Sequence, residues 1–398
     1  MKVLCVGGGP ASLYLAILLK LQDRRHEVSV HERNPEGATY GWGVTYWPDM
    51  LDTLKAHDEP SGRDIEDQSA RWRDGVAHVR DQLTVHRGDE GFAIGRHRML
   101  GILTERAVSL GVRVHFDHAV SPQDPPFDAD LVVAGDGARS ALRDRYADHF
   151  GTRLTAGHNR FIWLGTTKVF RSFTFAFVET EHGWLWCYAY GFDGEHSTCI
   201  VECSPRTWSG LGLDVMERAD ALRLLEKLLE RPLEGHPLIG RTDLDGPAQW
   251  QTFHTVTNRV WSRGNLVLIG DAAHTTHYSI GAGTTLAMQD AMALARSLKD
   301  PGPLHSALGR YERVRKRELL PLQSAARHSA GWYENLPRYV GLAPHQMFAL
   351  LGQRHSPLLP HVPPQLYYRV DRAIERTQAL RSLKRWIGPR IARVLHND

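Results

Sequence analysis

Three consecutive glycines end the first apolar run of the chain, and that turn limits the fold more than any other feature of the sequence. Lys2 to Val6 reads as a buried strand, Gly7-Gly8-Gly9 breaks it, a helical stretch follows from about Ala11 to Lys20, and a second β-like run covers Glu27 to His31. This order predicts a βαβ unit. The turn Gly7-Gly8-Gly9-Pro10-Ala11-Ser12 is a G-x-G-x-x-G pattern with serine in third place. Gly7 and Gly9 permit a tight turn and a close approach of backbone to a pyrophosphate. Pro10, Ala11 and Ser12 open the helix whose N-terminus favours that charge. The third glycine normally lets helix and strand pack closely, and serine is small enough that the contact is expected to survive with a slight displacement.

Glu32 ends the run VSVHE about 25 residues after the turn, where a carboxylate accepts hydrogen bonds from ribose hydroxyls and repels a 2′-phosphate. A dinucleotide of the FAD or NAD type is expected there, with Arg33 beside Glu32 in the same site. The strand–glycine–helix order recurs in DADLVVAGDGARSALR and in NLVLIGDAAH, so the nucleotide fold is discontinuous. Between these segments FIWLGTTKVF, SFTFAFVE, WLWCYAYGF and STCIVECS are short, aromatic and β-branched, as antiparallel strands of an inserted sheet should be. An amphipathic helix is expected at about Val215 to Leu229, and after Asp290 the chain turns helical and Arg-rich.

Composition excludes several classes. The net charge of +3 over 398 residues gives no case for a nucleic-acid partner. Cys5, Cys187, Cys199 and Cys203 lack C-x-x-C spacing and sit in apolar stretches, which reads as reduced thiols in a cytoplasmic protein. The opening run is too short for a signal peptide, and LYLAILLKL is too short and too charged to span a bilayer, so no integral membrane segment is expected. His274 and His277, three apart without a third ligand on a helix, do not make a zinc site, and no metal is expected.

The later glycine segments carry a family resemblance. AGDGARSALR, with Asp136, Gly137, Arg139 and Ser140, resembles the DG motif of the single-component group A flavoprotein aromatic hydroxylases, and IGDAAHTTHYSIGAGTTLAMQDA resembles their GD motif. The resemblance covers roughly residues 1 to 335. It implies an α/β fold: a discontinuous Rossmann-like FAD-binding domain (1–70, 93–152 and 256–320), an inserted antiparallel-sheet substrate domain (71–92 and 153–255) and a helical C-terminal region (321–398). It further implies that Gly270 and Asp271 reach the ribityl or phosphate region of FAD, and that Arg96 contacts the flavin from just before a helix beginning near Met99. The Gly281-Ala282-Gly283-Thr284-Thr285 turn would lay amides along the flavin pyrimidine edge, where a helix N-terminus opposes the negative charge of reduced flavin.

Where many members have a Pro pair after GDAAH, this chain has His277-Tyr278, followed by Ser279-Ile280-Gly281. With Tyr40-Gly41-Trp42-Gly43-Val44, the run Asn159 to Thr166 and the run Ser197 to Glu202, it resembles a smaller branch. That branch holds salicylyl-CoA 5-hydroxylase, the flavin half of 2-aminobenzoyl-CoA monooxygenase and the tryptophan hydroxylase of violacein biosynthesis. The substrate is accordingly expected to be an aryl-CoA thioester or a tryptophan- or indole-like compound. Lys168, Arg171 and the tail arginines are candidates for CoA phosphates, but solvated helix surfaces explain them more simply. Thr285 stands where thioester-using members resemble one another in having Lys, which favours the other substrate class.

The resemblance implies that NADH or NADPH reduces FAD, that dioxygen adds at flavin C4a, and that the hydroperoxide hydroxylates an electron-rich ring. Trp42, Trp47, Tyr190 and Tyr278 are candidates to line the substrate pocket, with core packing the alternative for each. His277 is the candidate proton-handling catalytic residue, because an ordinary imidazole titrates in the useful range. Two rivals remain: a flavin-dependent halogenase, whose W-x-W-x-I-P signature Trp184-Leu185-Trp186 starts but Cys187-Tyr188-Ala189 does not finish, and a noncatalytic flavin- or ligand-binding protein.

Overall fold

The computed structural model describes residues 1–38, 41–121, 128–240 and 248–376, so Tyr40 and the tail arginines beyond residue 376 lie outside the described residues. The apolar run Lys2–Val6 is the inner strand of a six-stranded sheet. Across that sheet the strands lie in the order Ser262–Arg263, Leu266–Leu268, Leu131–Ala134, Lys2–Val6, Glu27–His31 and Arg113–His115. All neighbours are parallel except the Ser262–Arg263 hairpin at one edge. From Lys2–Val6 the chain builds outward first on one side and later on the other. That reversal of direction opens a crevice at the carboxyl ends of Lys2–Val6 and Leu131–Ala134, where doubly wound sheets bind ligands. The crossover helix Pro10–Gln22 is buried from Ala11 through Lys20, because it is wedged between this sheet and the helix Gly283–Lys299.

The aromatic runs form a second sheet. Its order is Leu238–Ile239, Arg153–Thr166, Ser197–Cys203, Gly183–Gly191, Phe173–Thr180, Ala70–Val79, Gln82–Gly95 and Gly43–Tyr46, with Gln251–Thr257 also paired to Arg153–Thr166. Most pairs are antiparallel, but Ala70–Val79 runs parallel to Phe173–Thr180. Gly43–Tyr46, which the sequence put inside the 1–70 nucleotide segment, is an edge strand of this second sheet because its register matches Phe92 to Gly95. Alternation along each strand separates two faces. Phe175, Phe177, Trp186, Tyr188 and Ile200 pack under Trp332, Tyr333 and Tyr339 of the C-terminal helical region. On the other face Cys187, Cys199 and Cys203 lie beneath Ala221 and Leu225 of the helix Arg218–Leu228. All four cysteines are buried and unpaired, and among the described residues no helix is long and apolar enough to cross a membrane.

One ionic cluster fixes the nucleotide fold to the C-terminal helices. Asp290 is wholly buried on the helix Gly283–Lys299; its Oδ2 accepts from Gly270 N–H at 2.9 Å and lies 2.8 Å from His274 Nε2, while Arg315 Nε donates to Oδ1 at 2.6 Å. Burial opposes ionisation, but His274 and Arg315 outweigh it and hold the carboxyl below its ordinary range. The stabilisation is thus present at neutral pH and lost as acid protonates Asp290. Replacing Asp290 by Ala would strip His274, Gly270 N–H and Arg315 Nε of their acceptor and leave Arg315 with Glu318 alone, and a loss of about 3–5 kcal/mol in chemical denaturation is expected. A loss below about 1 kcal/mol would contradict this description of the cluster.

Candidate functional site

The crevice is lined first by the glycine turn. Gly7 has φ +94°, and a Cβ there would lie 2.5 Å from Gly135 O, so only glycine fits. A Cβ on Gly9 would meet nothing nearer than Gly135 O at 4.0 Å, which leaves its outer side open to a ligand. Gly9 caps the helix without a side-chain hydrogen bond, and the first turn carries no acid. Its amides therefore present an uncompensated positive end to the crevice. Ser12 keeps the close helix–strand contact for a reason the sequence did not reveal: a Cβ on Gly135 would fall 2.2 Å from Ser12 Oγ, so the opposing strand end supplies the missing space.

Glu32 is not a solvated strand end. Its Oε2 accepts from Gly8 N–H at 2.6 Å, and its Oε1 accepts from Asn34 N–H at 2.9 Å and Asn34 Nδ2 at 2.6 Å. The carboxylate is thereby locked to the glycine turn, while Arg33 beside it is exposed. Arg96 heads the helix Arg96–Ser109 instead of preceding one, since its N–H bonds Trp42 O at 2.8 Å and starts the helix three residues early. Desolvation lowers the Arg96 pKa, and the fields of Asp271 and Glu32 oppose that shift. The structure thus brings together residues from three distant motifs. Asp271 is exposed, yet desolvation by the protein around it raises its pKa while His274 and Arg96 oppose the rise. Asp136 Oδ2 accepts from Ala141 N–H at 2.9 Å, whereas its buried Oδ1 has no partner; Gly137 follows at φ +84°.

Gly270, against Ala11, and Gly281 both take φ +60°, and a Cβ on Gly281 would lie 2.6 Å from Thr45 Oγ1. Gly283, Thr284 and Thr285 open the helix Gly283–Lys299, which has no side-chain cap and no acid in its first turn. A Cβ on Gly283 would meet nothing within 4 Å. Just before this turn His277 Nδ1 lies 2.8 Å from Ser279 Oγ, and burial pushes its pKa down to about 4. The expectation that this imidazole titrates near neutrality is corrected: it is neutral throughout the physiological range and a weak base. Its ring and that of Tyr278 are 4.3 Å apart; around Tyr278 stand Phe161 at 4.4 Å, Phe253 at 5.7 Å and Tyr188 at 6.0 Å.

The remaining pocket candidates separate. Trp42 lies over Gly165, where a Cβ would be 2.6 Å from its ring. Tyr190 is buried and its hydroxyl donates to Gly43 O at 2.8 Å, so it fixes the segment carrying Trp42. Trp47 is 50% exposed at the start of the helix Pro48–His57. Trp186 stacks on Tyr333 at 5.8 Å within the core. Lys168 is ion-paired with Glu234, while Arg171 is exposed. Sequence reasoning missed Asp290, Arg315, Asn34 and Gly135. A lone acid in the apolar run TTLAMQDAMALA could have marked Asp290 as buried and paired; Arg315, in an Arg-rich helix, gave no comparable signal.

An open glycine cradle, two uncapped helix N-termini, a locked ribose-type carboxylate and an unsatisfied Asp136 oxygen together fit an extended dinucleotide with a pyrophosphate. The FAD binding domain family matches residues 1–302. A salicyloyl-CoA 5-hydroxylase of Streptomyces sp is 37% identical over 85% of this chain, which spans 66% of that protein, just under two thirds. A 3-hydroxy-4-methyl-anthranilyl-[aryl-carrier protein] 5-monooxygenase of Streptosporangium sibiricum is 34% identical over 85% of this chain and 90% of its own length. The protodeoxyviolaceinate monooxygenase of Chromobacterium violaceum is 27% identical over 94% of this chain and its full length. In fold, 2-methyl-3-hydroxypyridine-5-carboxylic acid oxygenase superposes with a TM-score of 0.65 at 20% identity, over 84% of this chain and 91% of that one. The chain belongs to the group A FAD-dependent aromatic hydroxylases.

Proposed function

We propose that this protein hydroxylates the ring of an aromatic acid held as a thioester, using NADH or NADPH and dioxygen. One observation supports a flat ring as substrate: Tyr278, three residues before the Gly281 turn that leads to the flavin-edge helix, is walled by the rings of Phe161, Phe253 and Tyr188. The thioester is favoured because the two relatives above 30% identity are named for aryl-CoA and aryl-carrier substrates. An indole-like substrate is the second reading, supported by the protodeoxyviolaceinate enzyme and by Thr285. The halogenase reading loses ground because Trp186 is committed to Tyr333.

Bound FAD supplies hydride acceptance and oxygen activation. The protein's own residues then do the rest. Gly7, Gly9, Pro10, Ala11 and Ser12 form the pyrophosphate cradle, Glu32 and Arg33 the ribose end, and Asp136, Gly137, Gly270 and Asp271 the middle of the cofactor. Arg96 offsets charge beside Asp271. The amides from Gly281 to Thr285, with Gly283 and Thr284 between them, oppose negative charge at the pyrimidine edge. Trp42, held by Gly165 and Tyr190, and Trp47 border the ring site, and His277 with Tyr278 faces it. Neutral His277 orients the ring by hydrogen bonding and helps to exclude water.

Asp271→Ala and Glu32→Ala should each weaken FAD retention by about tenfold or more, read from the flavin absorbance remaining after gel filtration; fully yellow variants would count against these assignments. His277→Ala should lower product formation more than it lowers the rate of flavin reduction, and an unchanged product yield removes the residue from the site. Salicyloyl-CoA, anthraniloyl-CoA, their free acids and indole should be compared as stimulators of NAD(P)H oxidation, with mass spectrometry of the products. A thioester that stimulates oxidation and gains one oxygen atom is expected; gain on indole alone overturns the thioester reading.

A further inference from the structure

Glu202 is 1% exposed, on the face of the larger sheet that looks toward the Tyr278 loop, with Trp186 and Phe161 as its neighbours in register. A carboxyl in that setting is costly unless its oxygens are satisfied. Asn159 Nδ2 donates to Oε1 at 2.7 Å and the Tyr278 hydroxyl donates to Oε2 at 2.8 Å. Among the described residues Glu202 forms no ion pair. The ionisable groups around it are Tyr278 from the loop, Tyr188 from Gly183–Gly191, Tyr333 and Glu334 from the helix Leu304–Glu334, and Cys203 on its own strand. Burial raises its pKa to about 7; Asn159 and Tyr278 oppose the rise, and Glu334 adds to it. Two neutral donors would hold a glutamine almost as well in a purely structural role, yet the residue here can gain or lose a proton near neutrality.

Resting on the hydroxylase reading above, we infer that Glu202, acting through Tyr278, accepts the proton of a hydroxyl on the substrate ring and so makes the enzyme select phenolic rings over rings carrying only an amine. The ring O–H bond breaks as its proton moves to the Tyr278 oxygen. The original Tyr278 proton moves to Glu202 Oε2. The balance is a phenolate and a neutral carboxylic acid, with no electrons exchanged with any oxidant. A phenolate is the more electron-rich ring and the better acceptor of an electrophilic oxygen. Burial and the nearby Glu202 charge raise the Tyr278 pKa, so that side chain conducts the proton and does not store it. An aryl amine is far too weak an acid to use this route, which is the origin of the selectivity.

The test uses the flavin-loaded full chain, with salicyloyl-CoA and anthraniloyl-CoA as probes. Infrared spectra without substrate should show a buried carboxyl that titrates with a midpoint of about 7, absent in Glu202→Gln and shifted in Tyr278→Phe. In the wild type kcat for salicyloyl-CoA should rise with pH through that midpoint. Glu202→Gln should lower it about 100-fold while KM changes by less than about threefold, and Glu202→Asp should restore part of the pH-dependent rate. The preference for salicyloyl-CoA over anthraniloyl-CoA should collapse in the Gln variant. Wild-type spectra without such a titration, or a Glu202→Gln enzyme that keeps the wild-type pH profile and preference, overturn the inference. Should salicyloyl-CoA not be turned over by the wild type, the thioester reading fails, and the infrared titration alone decides for or against Glu202.

Discussion

The site depends on one buried carboxylate. Asp290 takes the Gly270 amide and His274 on one oxygen and Arg315 on the other. Through those bonds the segment at Gly270, the helix Gly283–Lys299 and the long helix Leu304–Glu334 are tied to one another. Such a pair is weak evidence of net stability, since desolvation consumes most of the attraction. Its value here is geometric. Gly270 at φ +60° and Gly281 at φ +60° frame a loop with few apolar anchors, and Asp290 sets the position of its first residue. Without that bond Asp271, next in sequence, would lose the backbone that aims it into the crevice.

Around this anchor the electrostatics follow a simple plan. Two helices begin at the crevice without side-chain caps or first-turn acids. Their free amides favour negative charge at two separate points along an elongated ligand. Two acids, Glu32 and Asp271, stand near those helix starts, and Arg96 lies within the field of both. The larger sheet carries aromatic rings and, among its described residues, one buried carboxyl, Glu202. The His277-Tyr278 step in the chain joins that sheet to the second helix, since Tyr278 donates to Glu202 and the helix Gly283–Lys299 begins five residues later.

Much of this was legible in the sequence because it rests on local rules. Glycine turns after apolar runs located three neighbouring strands of the smaller sheet, and period-two aromatic runs located four strands of the second sheet. What was not legible depends on distant partners. Gly43–Tyr46 reads as part of the 1–70 nucleotide segment until it pairs with Phe92 to Gly95. The serine at position 12 looked like a compromise, whereas Gly135, more than a hundred residues away, makes room for it. His277 looked like a titrating base, but its pKa is set by burial that no local pattern encodes. Lys168 was a plausible phosphate ligand until Glu234 paired with it. Glu202 stood in a strand motif with nothing to show that it would meet Tyr278 across two domains.

The most direct measurement of the central claim is isotopic. Flavin-loaded protein should turn over salicyloyl-CoA with NADH or NADPH under oxygen-18 gas in ordinary water, and the product should be analysed by mass spectrometry. An aromatic ring bearing one heavy oxygen atom is the predicted result. Hydrogen peroxide with an unchanged ring, or a product whose new oxygen comes from water, would contradict assignment of this chain as a ring hydroxylase.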